Sequence, residues 1–546
     1  MTESGVPVRP LERGLAVLRA LARQPREQGG ARAGDLARAT GLARSTVDRI
    51  IATLDLLGYV RFDGRTAEPA TPLMELGNAY LSASGLPDAL AARAGRLADR
   101  LDESVSLAVP DGDGVRFIAQ STRRRSMALA FRIGDALPAE RCAPGALFAS
   151  GWDGERWDAW RARHEADPYD LGFPAVPRRA EPECEKEFKR RAERAGEAGA
   201  ALDDQLIEPG LVAVAVPVRG PGGGTSCALS AVSHTSRHTA RSLADAVLPE
   251  LREAASGMAR SLEAGPQLPY AAPQLAARPP VEGKAELGSG YLQSLARGLA
   301  VLRALGAAHG PGLPLSALAE ATGVPRATAR RSLLTLCHLG YAASDGGLFR
   351  PLPRVLELCY SRLTGLSLSG IVRPHLAELV GRVRESASVT VLEGTDIRYV
   401  ARVAASRIMS ADIAVGTRFP AYPTAMGRVL LAGLDADRRG PALDGARPLT
   451  RHTVTSRAEL ERRVEGAAWD GYAAVDQELE EGLRSVAVPL RDPEGRVVAA
   501  LNVAQHAGEQ PLDATRDALL PELRATAAAI EADLRTAGRH QRVRVP

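Results

Sequence analysis

Two short segments of the chain combine arginine with hydroxyl-bearing side chains in a way that suits contacts with nucleic acid. Their polar residues are Arg44, Ser45, Thr46 and Arg49 in the first segment, and Arg326, Thr328, Arg330 and Arg331 in the second. Arginine neutralises phosphates and donates paired hydrogen bonds to guanine, and hydroxyl groups bond to phosphates and base edges. A single arginine-rich helix start is more often a solvated surface, but the basic positions occur here twice. We therefore predict that both segments contact DNA.

The two segments belong to a repeat that spans nearly the whole 546-residue chain. The stretch Arg13–Leu21 recurs letter for letter as Arg297–Leu305, and Asp204–Gln205 near the end of the first copy answers Asp476–Gln477 in the second. Solenoid repeats are about 20 to 50 residues long, which is much shorter than this unit. The sequence therefore indicates a two-domain protein that is duplicated within one chain.

The helix pattern around each polar segment predicts a winged helix-turn-helix domain. In copy two the first helix carries an apolar stripe of leucines spaced three and four residues apart, at Leu295, Leu299, Leu302 and Leu305. Ser316 is the expected N-cap of a short second helix that ends at Gly323, and Pro325 opens a third helix over Arg326–Leu339. Asp345–Gly347 supplies the turn of a β-hairpin. The third helix is the predicted recognition helix, because an α-helix fits the major groove of DNA.

The composition restricts the other functions that are open to the chain. With 45% hydrophobic and 25% charged residues it is typical of a globular protein, and its net charge of +4 permits an anionic partner without requiring one. The five cysteines include no C-x-x-C pair, which argues against a disulfide framework or a zinc site and favours a reducing cytosol. Neither a signal peptide nor an apolar run of membrane-spanning length occurs, so we expect a cytoplasmic protein without a membrane partner. Because no catalytic signature occurs either, we predict no catalytic residue, no metal and no cofactor.

The DNA-binding segments resemble those of one known family. The matching stretches of copy two are Arg297–Leu302, Ala319–Gly323, Arg326–Leu336 and Leu339–Tyr341. They are similar to the DNA-binding domain of IclR-family transcriptional regulators, above all the regulators of protocatechuate and 4-hydroxybenzoate catabolism. The resemblance implies double-stranded operator DNA as a partner, and a second domain that binds a small organic-acid or aromatic effector. Since the family usually carries one copy per chain, we expect the fused copies to form an intramolecular pseudo-dimer, and further self-association stays open.

The repeat and the resemblance together predict the architecture. The fold class is α+β, with a winged helix-turn-helix domain followed by an α/β effector-binding domain of antiparallel sheet and helices, and the pair is duplicated. The expected domains are 8–72 and 73–264 in copy one, a linker at 265–290, and 291–353 and 354–537 in copy two. Within the last domain, strands are expected at 389–392, 398–401, 485–490 and 497–503, and helices at 354–368, 424–434, 456–469 and from Leu512 towards Leu534.

The resemblance also implies an effector site in copy two. Its residues would be Thr424, Ala425, Asp476, Arg484, Ser485 and Asn502. Thr424 and Ser485 can donate hydrogen bonds to a carboxylate, and Arg484 can pair with it if its side chain points inward; the alternative is that Arg484 is a surface residue. Copy one has Val212 and Ala213 in the places of Arg484 and Ser485. Our hypothesis is that copy two senses the effector, whereas copy one has diverged towards a structural role.

The two predicted recognition helices are not identical. Asp48 of copy one stands where copy two has Arg330, and Ser45 stands where copy two has Ala327. Because base-contacting side chains set sequence preference, we expect an operator whose two half-sites differ.

Two other function classes compete with a regulator. One is an enzyme or metabolite-binding protein that acts on a small acidic compound and uses its helix-turn-helix parts only for dimerisation. The other is an interaction scaffold that does not bind DNA. Arginine contacts with phosphate predict an affinity for DNA that falls steeply with salt, which neither alternative predicts.

Overall fold

The computed structural model describes residues 7–24, 29–123, 131–264, 285–308, 310, 312–405, 413–508 and 511–545. The chain separates into two compact units, Met1–Thr364 and Gly365–Pro546. The first unit holds all of copy one together with the winged helix-turn-helix domain of copy two, and the second unit holds the α/β domain of copy two. Of the predicted linker 265–290, residues 265–284 lie outside the described residues.

The first domain of copy one is a winged helix-turn-helix. Its elements are α1 (Arg9–Ala22), β1 (Ala31–Arg32), α2 (Ala33–Thr40), α3 (Arg44–Leu56), β2 (Val60–Phe62) and β3 (Thr66–Pro69). Val47, Ile50 and Leu54 are fully buried on one face of α3, so the opposite face of that helix is left for solvent or a partner. The strands β2 and β3 pair antiparallel and form the wing.

The α/β domain of copy one is an antiparallel sheet with helices on both faces. Its elements are α4 (Met74–Ser84), α5 (Leu86–Leu101), β4 (Ser104–Asp111), β5 (Gly114–Ser121), β6 (Ala136–Pro138), α6 (Ala143–Ala149), α7 (Gly154–Ala166), α8 (Glu185–Ala198), β7 (Ala201–Asp204), β8 (Leu211–Arg219), β9 (Thr225–His234) and α9 (Ala240–Glu263). The strand order is β6-β5-β4-β9-β8-β7. Helices α6 and α8 cover one face, and α5 and α9 cover the other.

The winged helix-turn-helix of copy two repeats the first. It consists of α10 (Gln293–Ala304), β10 (Leu313–Pro314), α11 (Leu315–Thr322), α12 (Arg326–His338), β11 (Ala342–Asp345) and β12 (Leu348–Pro351). The predicted N-cap at Ser316 is wrong, because Pro314 occupies that position. Pro314 is held extended by pairing with Leu348 of the wing, so the helix begins at the next residue, Leu315.

The chain between the two domains of copy two differs from the prediction. The helix expected over 354–368 is replaced by a 3-10 helix at Pro353–Leu358 and a short helix α13 (Tyr360–Leu363). An extended Thr364 and the positive φ of 75° at Gly365 end α13, because neither conformation can continue an α-helix. The long helix of this region starts only at Leu368.

The second compact unit repeats the α/β domain. Its elements are α14 (Leu368–Val383), β13 (Ser386–Glu393), β14 (Asp396–Val403), β15 (Arg418–Pro420), α15 (Ala425–Ala432), α16 (Ala436–Asp444), α17 (Arg457–Asp470), β16 (Ala473–Asp476), β17 (Leu483–Arg491), β18 (Val497–His506) and α18 (Leu512–Gly538). The strand order β15-β14-β13-β18-β17-β16 matches that of copy one, and all pairs are antiparallel. The predicted α+β fold class is thereby confirmed.

Within the described ranges, every helix is too short or too polar to span a bilayer.

The two winged helix-turn-helix domains contact each other within the first unit through α1 and α10. A Cβ atom on Gly14 would overlap the side chain of Leu295, and one on Gly298 would overlap that of Leu11. Gly14 and Gly298 occupy the same position of the repeat, and so do Leu11 and Leu295. Each leucine therefore lies over the glycine of the other helix, and this close approach requires a residue without a side chain at both glycine positions.

Equivalent hydrogen bonds also connect the recognition helix of each copy to the other copy. The Val8 N–H donates to Oγ1 of Thr335 in α12 at 2.9 Å, and the Leu292 N–H donates to Oγ1 of Thr53 in α3 at 3.1 Å. Two equivalent ion pairs accompany them, Arg303–Glu75 at 2.8 Å and Arg19–Glu357 at 3.9 Å. Each recognition helix is thus tied near its C-terminal end to the other copy, which fixes the position of one helix relative to the other.

Alanine at Gly134 should destabilise the first unit by about 2–4 kcal/mol. Gly134 has a φ of 90°, and an added Cβ would lie 2.6 Å from the Cβ of Tyr360 in α13, so backbone strain and overpacking add. Gly416 is the matched control, because it shares the φ, at 96°, but an added Cβ there meets no described atom within 4 Å. Calorimetric unfolding of the two variants should show the smaller loss for Gly416→Ala, and equal losses would contradict the contact with Tyr360.

Candidate DNA interface and effector site

The predicted DNA-contacting residues of copy one lie together on the first two turns of α3. Arg44, Ser45 and Arg49 are exposed and Thr46 is half-buried. Arg44 lies 4.0 Å from the carboxylate of Asp48 on the same helix, and Arg49 donates to the backbone oxygen of Ser289 at 2.7 Å. The basic groups of α3 are therefore partly engaged within the protein.

The corresponding surface of copy two is more strongly basic. Arg326, Arg330 and Arg331 are exposed on the first two turns of α12, and Thr328 is half-buried. No side-chain carboxylate occurs among the first six residues of this helix, whereas α3 has Asp48 there. Neither helix has a side-chain N-cap, because Ala43 and Pro325 occupy those positions. The N-cap side chains therefore do not compete with a phosphate for the N–H groups at the start of either helix.

In the second compact unit, one row of side chains crosses the sheet face that α15 and α17 cover. The row consists of directly paired residues on four neighbouring strands: Ala487, Asn502, Ser388 and Arg402. Directly paired residues of antiparallel strands project from the same face. Ala487 belongs to the hydrophobic core that α15 and α17 form with the sheet, which identifies that face. The row therefore places the side chains of a half-buried arginine, an amide and a hydroxyl on one face of the sheet.

Two buried polar atoms on this face have no hydrogen-bond partner among the described residues. They are Oγ1 of Thr390 and Oδ1 of Asn502. Ser485, which is half-buried and pairs with Val475, lies on the same face. An unsatisfied buried polar group costs about 1–3 kcal/mol, so such groups are uncommon in a site that only packs. Their position makes this face the candidate effector site.

Thr424 and Ala425 lie at the start of the helix above the same face. Thr424 is the N-cap of α15: its Oγ1 donates to the Ala421 oxygen at 3.0 Å and accepts from the Gly427 N–H at 2.9 Å. Ala425 is fully buried in the core of the unit. Because the Thr424 hydroxyl hydrogen is already donated, a hydrogen bond from Thr424 to a ligand would compete with its bond to Ala421.

Arg484 and Asp476 lie on the opposite face of the sheet from Ser485, and Arg484 is buried there, neither directed at the candidate effector site nor exposed at the surface. The Arg484 guanidinium forms two hydrogen bonds with the Asp476 carboxylate, at 2.9 and 3.0 Å, and its third nitrogen approaches Oγ1 of Thr515 in α18 at 3.3 Å. Side chains alternate along β17, so Arg484 faces α18 whereas its neighbour Ser485 faces α15. The two charged groups satisfy each other and tie β16 to β17.

Copy one carries a different set of residues at the equivalent positions. Its row consists of Ala215, Ser230, Ser106 and Gln120, so a neutral amide replaces the guanidinium of Arg402. The hydroxyl oxygens of Ser106 and Ser230 are buried without a partner among the described residues. The hydrogen-bonding groups therefore persist, but the positive charge that an acid would need is absent from this row.

Two further features set the face in copy one apart. Asp203 occupies the position of Val475, and burial raises the pKa of its carboxyl to about 7. Phe131 stacks on Phe117 with ring centroids 4.5 Å apart, and it also contacts the apolar cluster that contains Val232. The ionised form of this carboxyl repels an anionic ligand, and the ring of Phe131 covers part of the apolar surface on this face.

Ser388, Thr390 and Arg402 were not among the site residues predicted from the sequence. The first two follow a period-two alternation of polar and apolar residues along Ser386–Val391, which is the signal of a strand with one polar face. The expected strand began at Val389, so Ser388 fell outside it. Arg402 directly follows the predicted strand 398–401 and belongs to the same strand, β14.

In the described part of the chain, no group of three His, Cys, Asp or Glu residues could hold a metal ion.

Comparison with known proteins assigns both kinds of domain twice. Residues 10–64 and 294–346 match the family model described as the IclR helix-turn-helix domain. Residues 78–260 and 361–532 match the model described as the bacterial transcriptional regulator IclR C-terminal domain. The four matches together cover most of the chain and fall in the order of the repeat.

Individual relatives each align with less than half of this chain. The Pca regulon regulatory protein of Pseudomonas putida is 40% identical over 256 residues, which are 46% of this chain and 88% of that protein. The p-hydroxybenzoate hydroxylase transcriptional activator of Acinetobacter baylyi is 32% identical over 244 residues, 43% of this chain and 90% of its own length. A solved structure of a protein from Rhodococcus sp. RHA1, described as a transcriptional regulator, is 50% identical with a TM-score of 0.44 and covers 46% of this chain and 100% of its own. These relatives correspond in length to one copy.

Proposed function

The chain belongs to the IclR family of bacterial transcriptional regulators, and we propose that one chain binds one operator with two half-sites. It is a regulator with effector-binding domains, and the relatives give no support to the enzyme alternative. In the proposed complex α3 and α12 enter the major groove at successive half-sites. The two copies of the fused chain then act as the two halves of a pseudo-dimer. We place the protein in the cytoplasm, because the operator DNA lies there.

The observation that carries this proposal is the reciprocal contact between the two winged helix-turn-helix domains. Equivalent residues of the two copies exchange the same contacts, with each leucine over the other glycine and each N–H on the other threonine. Such an interface has the form of a two-fold symmetric dimer, although both halves belong to one chain. In the proposed complex, the two recognition helices contact half-sites about one helical turn apart.

Duplex selection followed by binding measurements on the full chain tests this proposal. We expect a preferred duplex to bind one chain, and removal of either half-site to weaken binding about 10²- to 10⁴-fold, because the second contact is intramolecular. The affinity should also fall steeply as the salt concentration rises. Failure to retain any duplex with sequence preference would overturn the proposal, as would a stoichiometry of two chains per pair of half-sites.

We further propose that copy two binds a small aromatic acid at the face that carries Arg402, Asn502 and Thr390. Two relatives are named for the Pca regulon and for p-hydroxybenzoate hydroxylase, which supports an aromatic acid as the ligand. The guanidinium of Arg402 suits a carboxylate, and the unsatisfied atoms of Thr390 and Asn502 suit further polar groups on the ligand. A ligand controls DNA affinity only as far as it binds one arrangement of the domains better than another.

Alanine at Arg402 should weaken the binding of 4-hydroxybenzoate to the full chain roughly ten- to 150-fold. The reason is that a hydrogen bond to a charged group contributes about 1.5–3 kcal/mol. Isothermal titration calorimetry measures the change, and protocatechuate serves as the second probe. Gln120→Ala is the matched control in copy one and should leave the affinity unchanged. An effect of Gln120→Ala as large as that of Arg402→Ala would contradict the assignment of the site to copy two.

A further inference from the structure

The recognition helices α3 and α12 differ in charge at one exposed position. Asp48 and Arg330 occupy the same place in the repeat, each directly after a fully buried residue, Val47 or Ala329. Both side chains lie on the exposed face of the second turn, one turn beyond the first-turn arginine of the same helix. They therefore differ in chemistry while occupying equivalent positions.

The helices that carry the two positions are held by equivalent contacts. Thr53 and Thr335 accept equivalent hydrogen bonds from the other copy, at 3.1 and 2.9 Å, so α3 and α12 are held in the same way. The arginine that follows each position is also retained, as Arg49 and Arg331. If α3 and α12 enter the major groove in the same way, Asp48 contacts a base pair in one half-site. Arg330 then contacts the base pair at the equivalent position of the other half-site.

The two side chains make opposite demands on that base pair. A carboxylate only accepts hydrogen bonds, and in the major groove it suits the exocyclic amino group of cytosine. A guanidinium only donates them, and it suits the O6 and N7 acceptors of guanine. Asp48 is 4.0 Å from Arg44, a long and solvent-exposed pairing that leaves its carboxylate able to turn to a base.

We propose that Asp48 and Arg330 are specificity-determining residues that select cytosine and guanine, respectively, at the same position of the two half-sites. This inference rests on the proposed function, because it requires both helices to read one operator. The operator is then not a palindrome at that position, and the chain binds it in one orientation only. Copy two, which carries Arg330, always binds the half-site that has guanine at this position.

Selection of duplexes from a random library by the full chain, repeated with Asp48→Arg, tests this inference. The wild-type chain should enrich cytosine in one half-site and guanine at the equivalent position of the other. In competition, exchanging the preferred base for the other should weaken binding roughly five- to 150-fold at each position. Asp48→Arg makes the two helices alike there, so its selected sites should become palindromic at that position. Arg330→Asp should give the opposite palindrome, with cytosine in both half-sites.

Asp35→Arg is the matched charge control. Asp35 lies on α2 of the same domain, is 45% exposed against 52% for Asp48, and likewise pairs with an arginine of its own helix. The control should raise the affinity for all duplexes without changing the base preference. A palindromic site for the wild-type chain, or an unchanged preference in Asp48→Arg, would overturn the inference while DNA binding itself stands. If the wild-type chain retained no duplex at all, the proposed function would fail instead.

Discussion

Alanine at both Arg326 and Arg331 is expected to lower the affinity of the full chain for its operator by roughly 30-fold to 10⁴-fold. Both arginines are exposed at the start of α12, and no carboxylate lies among the first six residues of that helix. A good base contact contributes about 1–3 kcal/mol, so the loss of two gives this range. If they contact phosphates instead, affinities for all duplexes should fall together, and the slope of log affinity against log salt should decrease by about 0.9 for each arginine.

The equivalent change in copy one should have a smaller effect. Arg49 already donates to the backbone oxygen of Ser289, and Arg44 faces Asp48, so part of the interaction capacity of α3 is used within the protein. Fluorescence anisotropy with Arg44→Ala/Arg49→Ala measures this difference on the same duplex. Arg156→Ala/Arg241→Ala removes the same charge from exposed positions of an α/β domain and controls for net charge. Unchanged retention of DNA by the Arg326/Arg331 variant would contradict the assignment of α12 as a recognition helix.

The parts of the fold that depend on local sequence were predictable. The recognition helix was expected over Arg326–Leu339 and runs over Arg326–His338, because a buried stripe and the glycine before it define such a helix within about 15 residues. Likewise the helix expected over 424–434 occurs as Ala425–Ala432, with Thr424 as its N-cap. In each case the signal lies within the element itself.

The parts that depend on distant residues were not predictable in the same way. Ser388 reaches the effector face only because β13 pairs with β18, more than 100 residues later, and no local pattern reveals that pairing. The mutual pairing of Arg484 and Asp476 was missed for a different reason: the two residues are close in sequence, but their contact depends on the register of β16 against β17. The reciprocal fit of Leu11 over Gly298 joins residues of different copies. A repeat in the sequence indicates that two copies exist, but their mutual contact depends on surface shape.

Methionine at Arg428 is expected to destabilise the second compact unit by about 3–5 kcal/mol. Arg428 in α15 is 2% exposed and donates at 2.6 Å to Glu478, which is 3% exposed. Burial lowers the pKa of Arg428, and the negative charge of Glu478 opposes that effect. Removing the guanidinium leaves the buried Glu478 carboxylate with Arg463 and the N–H of Val454 as its partners among the described residues, and the loss of its buried counter-charge is costly. Calorimetric unfolding of the full chain measures the loss.

Copy one indicates how that loss can be reversed. Ala146 and Leu206 occupy the positions of Arg428 and Glu478, so the same fold is built there without the two charges of this ion pair. Arg428→Ala/Glu478→Leu should therefore recover most of the stability that Arg428→Met loses, because both buried charges are removed together. Arg496→Met is the control, since that arginine pairs with Asp492 and Glu494 at the surface and should change stability little. A double variant as unstable as the single one would mean that the ion pair itself, and not the carboxylate left without Arg428, sets the stability of this helix.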